Sequence, residues 1–115
     1  MISLYGCGFI GTHFKYLYDS DVHVQGRDER VPAHKDILYF ISTIHNYHVH
    51  DNITRDVDTN LRVLCETLEH CRSNDITFNF VSSWFVYGKG DVLPATESSP
   101  CNPTGFYSIT KKCAE

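Results

Sequence analysis

Tyr107 and Lys111 stand four residues apart near the end of this 115-residue chain, and a Ser82-Ser83 pair precedes them. In a helix, residues i and i+4 share a face, so the phenol and the ammonium point the same way about one turn apart. A free tyrosine, with a pKa of ~10, is a poor base at neutral pH. A neighbouring cation favours the phenolate and lowers that value. Ser83, at the end of a strand, can hold a substrate oxygen or its developing charge by hydrogen bonding. These groups suit moving a proton off an alcohol. They point to alcohol/ketone redox chemistry, which requires a nicotinamide site elsewhere in the chain.

The N-terminus carries such a site. Ile2-Ser3-Leu4-Tyr5 reads as a short buried strand, followed by Gly6-Cys7-Gly8-Phe9-Ile10-Gly11 and an apolar-periodic segment with Phe14, Leu17 and Tyr18. G-x-G-x-x-G between a strand and a helix is the context that gives the motif meaning. Gly6 permits the turn, Gly8 lets the backbone approach a pyrophosphate, and Gly11 allows close helix–strand packing. The helix N-terminus offers free N–H groups to phosphates. A glycine-rich turn with no ligand is the competing reading, and Ser83, Tyr107 and Lys111 in the same chain weigh against it.

Between these ends, strands and helices alternate. The pattern predicts a helix from about Phe9 to Tyr18, strands at 22–25, 36–42 and 76–81, and loops at 27–35 and 89–105. The longest helix is predicted over 53–72, with Val57, Leu61, Leu64, Cys65 and Leu68 on one inward stripe. A last helix starts near Phe106. The segment 36–42 is apolar on both faces, as a buried parallel strand should be. This predicts an α/β fold, a Rossmann-like doubly wound parallel sheet of about four strands, in one domain over 1–115. Only about ten residues join the second strand to the third. At ~3.3 Å per residue they can still cross the sheet, with loss of an edge strand.

The motifs resemble those of the extended short-chain dehydrogenase/reductases, the NAD-dependent epimerase/dehydratase family that includes UDP-galactose 4-epimerase. The matching text is Gly8 to Gly11, Val81-Ser82-Ser83 through Gly88, Glu97 to Pro100, Asn102-Pro103, Tyr107 through Glu115 and, more weakly, Asp58-Thr59-Asn60-Leu61. The resemblance implies Tyr107 as catalytic base/acid, Lys111 as its partner and a contact to the nicotinamide ribose, Ser83 as the alcohol-binding hydroxyl, and Asn60 as a supporting residue. It implies cofactor contacts from Gly6, Gly8, Phe9, Ile10 and Gly11. Aligning Val22 with the family's second strand puts Gly26 where NAD enzymes carry an acidic residue, with Arg27 beside it. That favours NADP over NAD, since arginine suits a 2′-phosphate. Asp28 is the residue that would restore NAD binding after a register shift.

The same resemblance narrows the chemistry. Dehydratases of the family carry an Asp-Glu pair directly after the serine position, where this chain has Trp84 and Phe85. Oxidation, reduction or epimerisation at a carbinol of a nucleotide sugar or similar molecule is the implied function. The resemblance also implies a homodimer paired through the central helix and the Tyr/Lys helix. Family members continue well past Tyr-x-x-x-Lys into a substrate domain, whereas this sequence stops four residues after Lys111. The expectation is an incomplete domain, from a longer reading frame or from a reduced protein completed by a partner. A dinucleotide-binding module without turnover and an assembly subunit pairing through an open sheet edge remain the alternatives.

Composition limits the rest. A formal charge of −4 gives no reason to expect nucleic acid. No run is apolar enough to span a membrane and no signal sequence is present, so a cytoplasmic protein is expected. Five cysteines without C-x-x-C spacing read as reduced thiols, with Cys65 in the helix core. His45, His48 and His50 cluster within six residues, but no distant ligand pair completes them and no metal site is expected. Glu97, Asn102 and Thr104 read as turn and cap residues. Trp84 reads as a core or wall residue.

Overall fold

Short apolar runs form four strands: β1 Ile2–Tyr5, β2 Val22–Val24, β3 Asp36–Tyr39 and β4 Thr77–Phe80. The computed structural model describes residues 1–44, 52, 54–72, 75–89 and 93–115. All neighbouring strands are parallel, in the order β2-β1-β3-β4. Ile2 lies opposite Val22 and Asp36, and Asp36 opposite Thr77. Side chains alternate faces, so this register puts Ser3, Tyr5, Ile37, Tyr39, Phe78 and Phe80 on one side. There Tyr5, Ile37, Tyr39 and Leu64 form the buried core, with Phe78, Phe80, Cys71 and Ala114 packed against it. Each such large side chain contributes roughly 1.5–3 kcal/mol when fully buried. Burial pushes the Tyr5 hydroxyl up to about 12, and it donates to the Arg30 carbonyl at 3.0 Å.

On the opposite face lies α1, Phe9–Leu17, whose Phe14 ring meets Phe40 edge-on at 6.2 Å. The strand order reverses at β1, which has β2 on one side and β3 on the other. In open parallel sheets the crevice at the carboxyl ends of such strands is where ligands bind.

The link from β2 to β3 crosses β1 without a helix, and side-chain bonds pin it to the sheet. The Gln25 amide donates to the Val31 carbonyl at 2.9 Å. The His34 N–H donates to Ser3 Oγ at 2.8 Å, and Arg30 pairs with Glu66 at 3.0 Å. As the short link requires, β2 is the edge strand.

The central helix is built from α2, Arg55–Val57, a π-helical segment, Asp58–Arg62, and α3, Val63–Cys71. In the wide turn the Val63 N–H reaches back five residues to the Asp58 carbonyl. The face that points inward carries Asn60, Leu64, Thr67 and Cys71. This corrects the predicted stripe: Leu64 is inside, but Cys65 is exposed, and Val57 and Leu68 are 48% and 39% exposed. The reason is hydrogen bonding. The Asn60 amide finds its partners off the helix, on Ser42, Thr43 and Thr110, so the helix turns to bring it inward; Thr67 bonds the Val63 carbonyl of its own helix. Trp84 is likewise exposed rather than in a wall. It opens a 3₁₀ turn, Trp84–Tyr87. The last helix, α4, spans Phe106–Ala114.

Candidate active site and dinucleotide cleft

The glycine turn between β1 and α1 is dictated by close approach. A Cβ on Gly11 would lie 2.1 Å from the Gly6 carbonyl oxygen, so helix and strand end can touch only through glycine. Gly8 is the N-cap of α1 and no side chain caps the helix. A Cβ at Gly8 would meet nothing within 4 Å. The first-turn N–H groups, which lack intrahelical partners, thus face an open cradle of the kind that holds a pyrophosphate. Phe9 and Ile10 are 95% and 60% exposed, and what such apolar residues offer a phosphate is backbone.

A cavity of about 690 Å³ opens at this turn, its walls including Gly6, Gly8, Arg27, Asp28, Thr59 and Arg62. It joins the β1 end to the β2 tail and to the π-helical turn. Its cations differ in how they are compensated. Arg62 bonds Asp58 at 3.2 Å and Glu66 at 2.6 Å, and Arg30 bonds the other oxygen of Glu66. Arg30 and then Arg62 hold the Glu66 carboxyl below its usual range. Arg27 has no ion pair among the described residues. At the neighbouring Gly26, the N–H donates to Glu29 Oε2 at 2.7 Å. Sequence reasoning missed Arg30, Asp58 and Arg62. The spacing of Asp58, Arg62 and Glu66 at i, i+4 and i+8 was the available signal for the rim.

Asn60 ties this cleft to α4. It is 2% exposed. Its Oδ1 accepts from the Thr43 N–H at 2.9 Å and from Ser42 Oγ at 3.3 Å. Its Nδ2 donates to Thr43 Oγ1 at 3.0 Å and to Thr110 Oγ1 at 2.9 Å. The amide therefore uses both ends: Oδ1 on the loop after β3, and Nδ2 on that loop and on the helix carrying Tyr107 and Lys111.

Ser83 caps the 3₁₀ turn, its Oγ accepting from the Phe85 N–H at 3.3 Å. The turn is closed by Gly88, at φ +64°, where a Cβ would fall 1.8 Å from the Asn102 carbonyl oxygen. The Asn102 N–H donates in return to the Tyr87 carbonyl at 3.3 Å. Phe85 of this turn meets the half-buried Tyr107 ring edge-on at 6.2 Å, so the Ser83 turn and the Tyr107 helix adjoin. Lys111 is 3% exposed. Its Nζ donates to the Val81 carbonyl at 2.6 Å and sits 4.2 Å over the Phe80 ring. Burial lowers its pKa to about 8, against a smaller opposing pull from Glu115. Ser82 donates to that same Glu115. Ser83, Tyr107 and Lys111 gather around the β4 end, while Gly6, Gly8 and Arg27 line the cleft. Asn60 and Thr110 form the bridge between the two groups.

His45, His48 and His50 lie outside the described residues. Among the described residues no group of three or more metal-ligating side chains is assembled, and no helix is long and apolar enough to cross a membrane. All five cysteines are free thiols, with Cys71, not Cys65, against the core.

No curated protein sequence matches the chain significantly. Among solved structures, RMD from Pseudomonas aeruginosa complexed with NADPH superposes with a TM-score of 0.81 at 19% identity, over 98% of this chain and 45% of that one. UDP-glucose 4-epimerase from Brucella ovis in complex with NAD gives 0.81 at 20%, over 98% and 44%. UDP-N-acetylglucosamine 4-epimerase from Methanobrevibacter ruminantium M1, in complex with UDP-N-acetylmuramic acid, gives 0.84 at 19%, over 99% and 47%. The chain thus has their Rossmann-like fold and spans less than half of their length. The model of the NAD dependent epimerase/dehydratase family matches residues 12–115, and with a glycine turn set at the reversal point of a parallel sheet, the chain belongs to that family.

Proposed function

We propose that the chain is the cofactor-binding part of an NAD(P)-dependent epimerase or reductase acting on a carbinol of a nucleotide sugar or a similar small molecule. The observation that carries this is the Asn60 bridge, which fixes the Tyr107 helix to the wall of a cleft opening on the Gly8 cradle. When bound, a nicotinamide dinucleotide supplies the hydride acceptor. Gly6 and Gly8 hold its phosphates with backbone N–H groups, while Phe9, Ile10 and Gly11 carry the helix start. Tyr107 takes the proton from the substrate hydroxyl, and Ser83 donates to the same oxygen. Lys111 supports the phenolate and the ribose once released from the Val81 carbonyl. The uncompensated Arg27 on the cleft rim favours NADP over NAD through a 2′-phosphate. Trp84 and Phe85, exposed beside Ser83, offer no carboxylate for a leaving hydroxyl, which supports redox or epimerisation over dehydration. The exposed Val57, Leu68, Phe106 and Ile109 fit a homodimer of cytoplasmic copies.

Tyr107→Phe tests the reading. Turnover of nucleotide sugars should vanish, while the melting shift produced by NADPH stays. Surviving turnover refutes the assigned base. A dinucleotide-binding module without turnover is the second reading. It is favoured by one observation, the engagement of the Lys111 ammonium with a strand carbonyl, and it predicts binding with no activity in the wild-type chain.

A further inference from the structure

Three residues of α4 and its C-terminal end face the chain that leads from β4 to Ser83, and only two of them have a part in the proposed chemistry. Tyr107, Lys111 and Glu115 recur at i, i+4 and i+8, so they share one face of the helix and its C-cap. Lys111 Nζ donates to the Val81 carbonyl at 2.6 Å. One turn further on, Glu115 Oε1 accepts from Ser82 Oγ. Successive residues of the strand exit are thus gripped by successive turns of α4, and Ser83 is the next residue in line. Beyond it, the Phe85 ring meets Tyr107 edge-on at 6.2 Å. The Glu115 carboxylate is itself held, its Oε2 accepting from Lys112 Nζ at 2.7 Å. Lys112 and then Ser82 keep this carboxyl below its usual range. It is therefore an ionised acceptor, whose hydrogen bonds are about twice as strong as neutral ones.

The two grips differ in what the proposed chemistry asks of them. Lys111 has to leave the Val81 carbonyl before it can support the phenolate and the ribose, so its hold on the strand exit lapses when it acts. Glu115 bonds Ser82 and Lys112 and takes no part in that exchange, so its hold persists. The proton transfer needs the Ser83 hydroxyl and the Tyr107 phenol on one substrate oxygen at the moment when the Lys111 tether is absent. Small misplacements of such groups are costly in rate. A second tether from the same helix to the residue before Ser83 meets that need.

We infer that Glu115 is a positioning residue: by holding Ser82 to α4 it keeps Ser83 in register with Tyr107 while Lys111 is released from the strand. This rests on the dinucleotide reading above and goes beyond it by naming the group that maintains the site during that release. The nuclear Overhauser contact between the Phe85 and Tyr107 rings reports the register without any turnover. In the wild-type chain it should be present both without and with saturating NADPH. Glu115→Ala should keep it without NADPH, where Lys111 still grips Val81, and lose it when NADPH is added. Glu115→Gln, which keeps an acceptor for Ser82, should behave as wild type. A general loss of stability does not produce an effect that depends on NADPH in this way. The double variant Lys111→Met with Glu115→Ala removes both grips and should lose the contact with no NADPH present. A ring contact that Glu115→Ala retains under NADPH, or has already lost in its folded NADPH-free form, overturns the role of Glu115 and leaves the dinucleotide site standing. So does a contact retained by the folded double variant. If NADPH produces no melting shift of the wild-type chain, the dinucleotide reading falls and the role of Glu115 falls with it.

Discussion

Lys111→Met separates what the buried ammonium does for function from what it does for the fold. Lys111 is almost fully buried, and burial lowers its pKa from 10.5 to about 8. The charged form is therefore less favourable in the folded than in the unfolded chain by about 3 kcal/mol. The sign follows from proton counting. Between pH 8 and 10.5 the unfolded chain binds more protons than the folded one at this site, so stability rises with pH across that window. From pH 7 to 9.5 the gain from this one group is about 2 kcal/mol. Methionine has no such dependence. The raised pKa of Tyr5 acts in both proteins and cancels in the difference. Urea melts of the two proteins at pH 7, 8, 9 and 9.5 should show the variant ahead by about 1 kcal/mol at pH 7, after allowing for the orphaned Val81 carbonyl. That lead should disappear and reverse as pH rises, a net change of about 2 kcal/mol. A pH-independent difference refutes the reasoning, because it means that the Val81 carbonyl and the Phe80 ring already compensate the buried charge in full.

Three further perturbations have defined outcomes. Gly11→Ala sets a methyl 2.1 Å from the Gly6 carbonyl; a loss of about 1–3 kcal/mol by chemical denaturation is expected from overpacking, together with loss of the NADPH-induced melting shift. Asn60→Ala removes the amide shared by Thr43 and Thr110 and should destabilise the fold by about 2–4 kcal/mol, with faster hydrogen exchange in α4 as the readout specific to the bridge. Leu68→Glu places a charge on the exposed apolar side of α3; sedimentation should shift from dimer to monomer with the melting temperature nearly unchanged, and an unaltered sedimentation coefficient counts against pairing through that face.

Much of the fold was legible because it depends on local pattern. Gly6, Gly8 and Gly11 mark the β1–α1 junction by spacing alone, and the apolar runs at 2–5, 36–39 and 77–80 are where the strands form. The central helix was predicted as an element but not in its rotation. Periodicity weighs Val57, Cys65 and Leu68 by their apolarity, whereas the helix turns to satisfy the Asn60 amide, whose partners Thr43 and Thr110 lie on other segments. The Tyr107 and Lys111 spacing was visible, but the destination of the ammonium was not. Val81 is 30 residues earlier and Phe80 one before that, and nothing local links them to α4. The charged rim was hidden for the same reason, since Arg27, Arg30 and Arg62 meet only when the β2–β3 link lies across the sheet.

Burial in the central helix and α4 runs opposite to what their composition alone suggests. Asn60, Thr67, Thr110 and Lys111 are inside, while Val57, Leu68, Phe106 and Ile109 are 39% exposed or more. A helix pair selected only for stability would bury the second set, since each side chain would contribute about 1.5–3 kcal/mol and none would need a partner. The buried polar set is instead a chain of satisfied contacts running from the loop after β3, through Asn60 and Thr110, to the turn of α4 that carries Lys111. A connection of this kind is stiff, because breaking any one bond strands a buried donor or acceptor. It therefore holds Tyr107 in register with a cleft whose walls belong to other elements. The cost of burying the lysine and exposing the leucine follows from that requirement, and both departures from ordinary burial fall on the two helices that position the proposed chemistry.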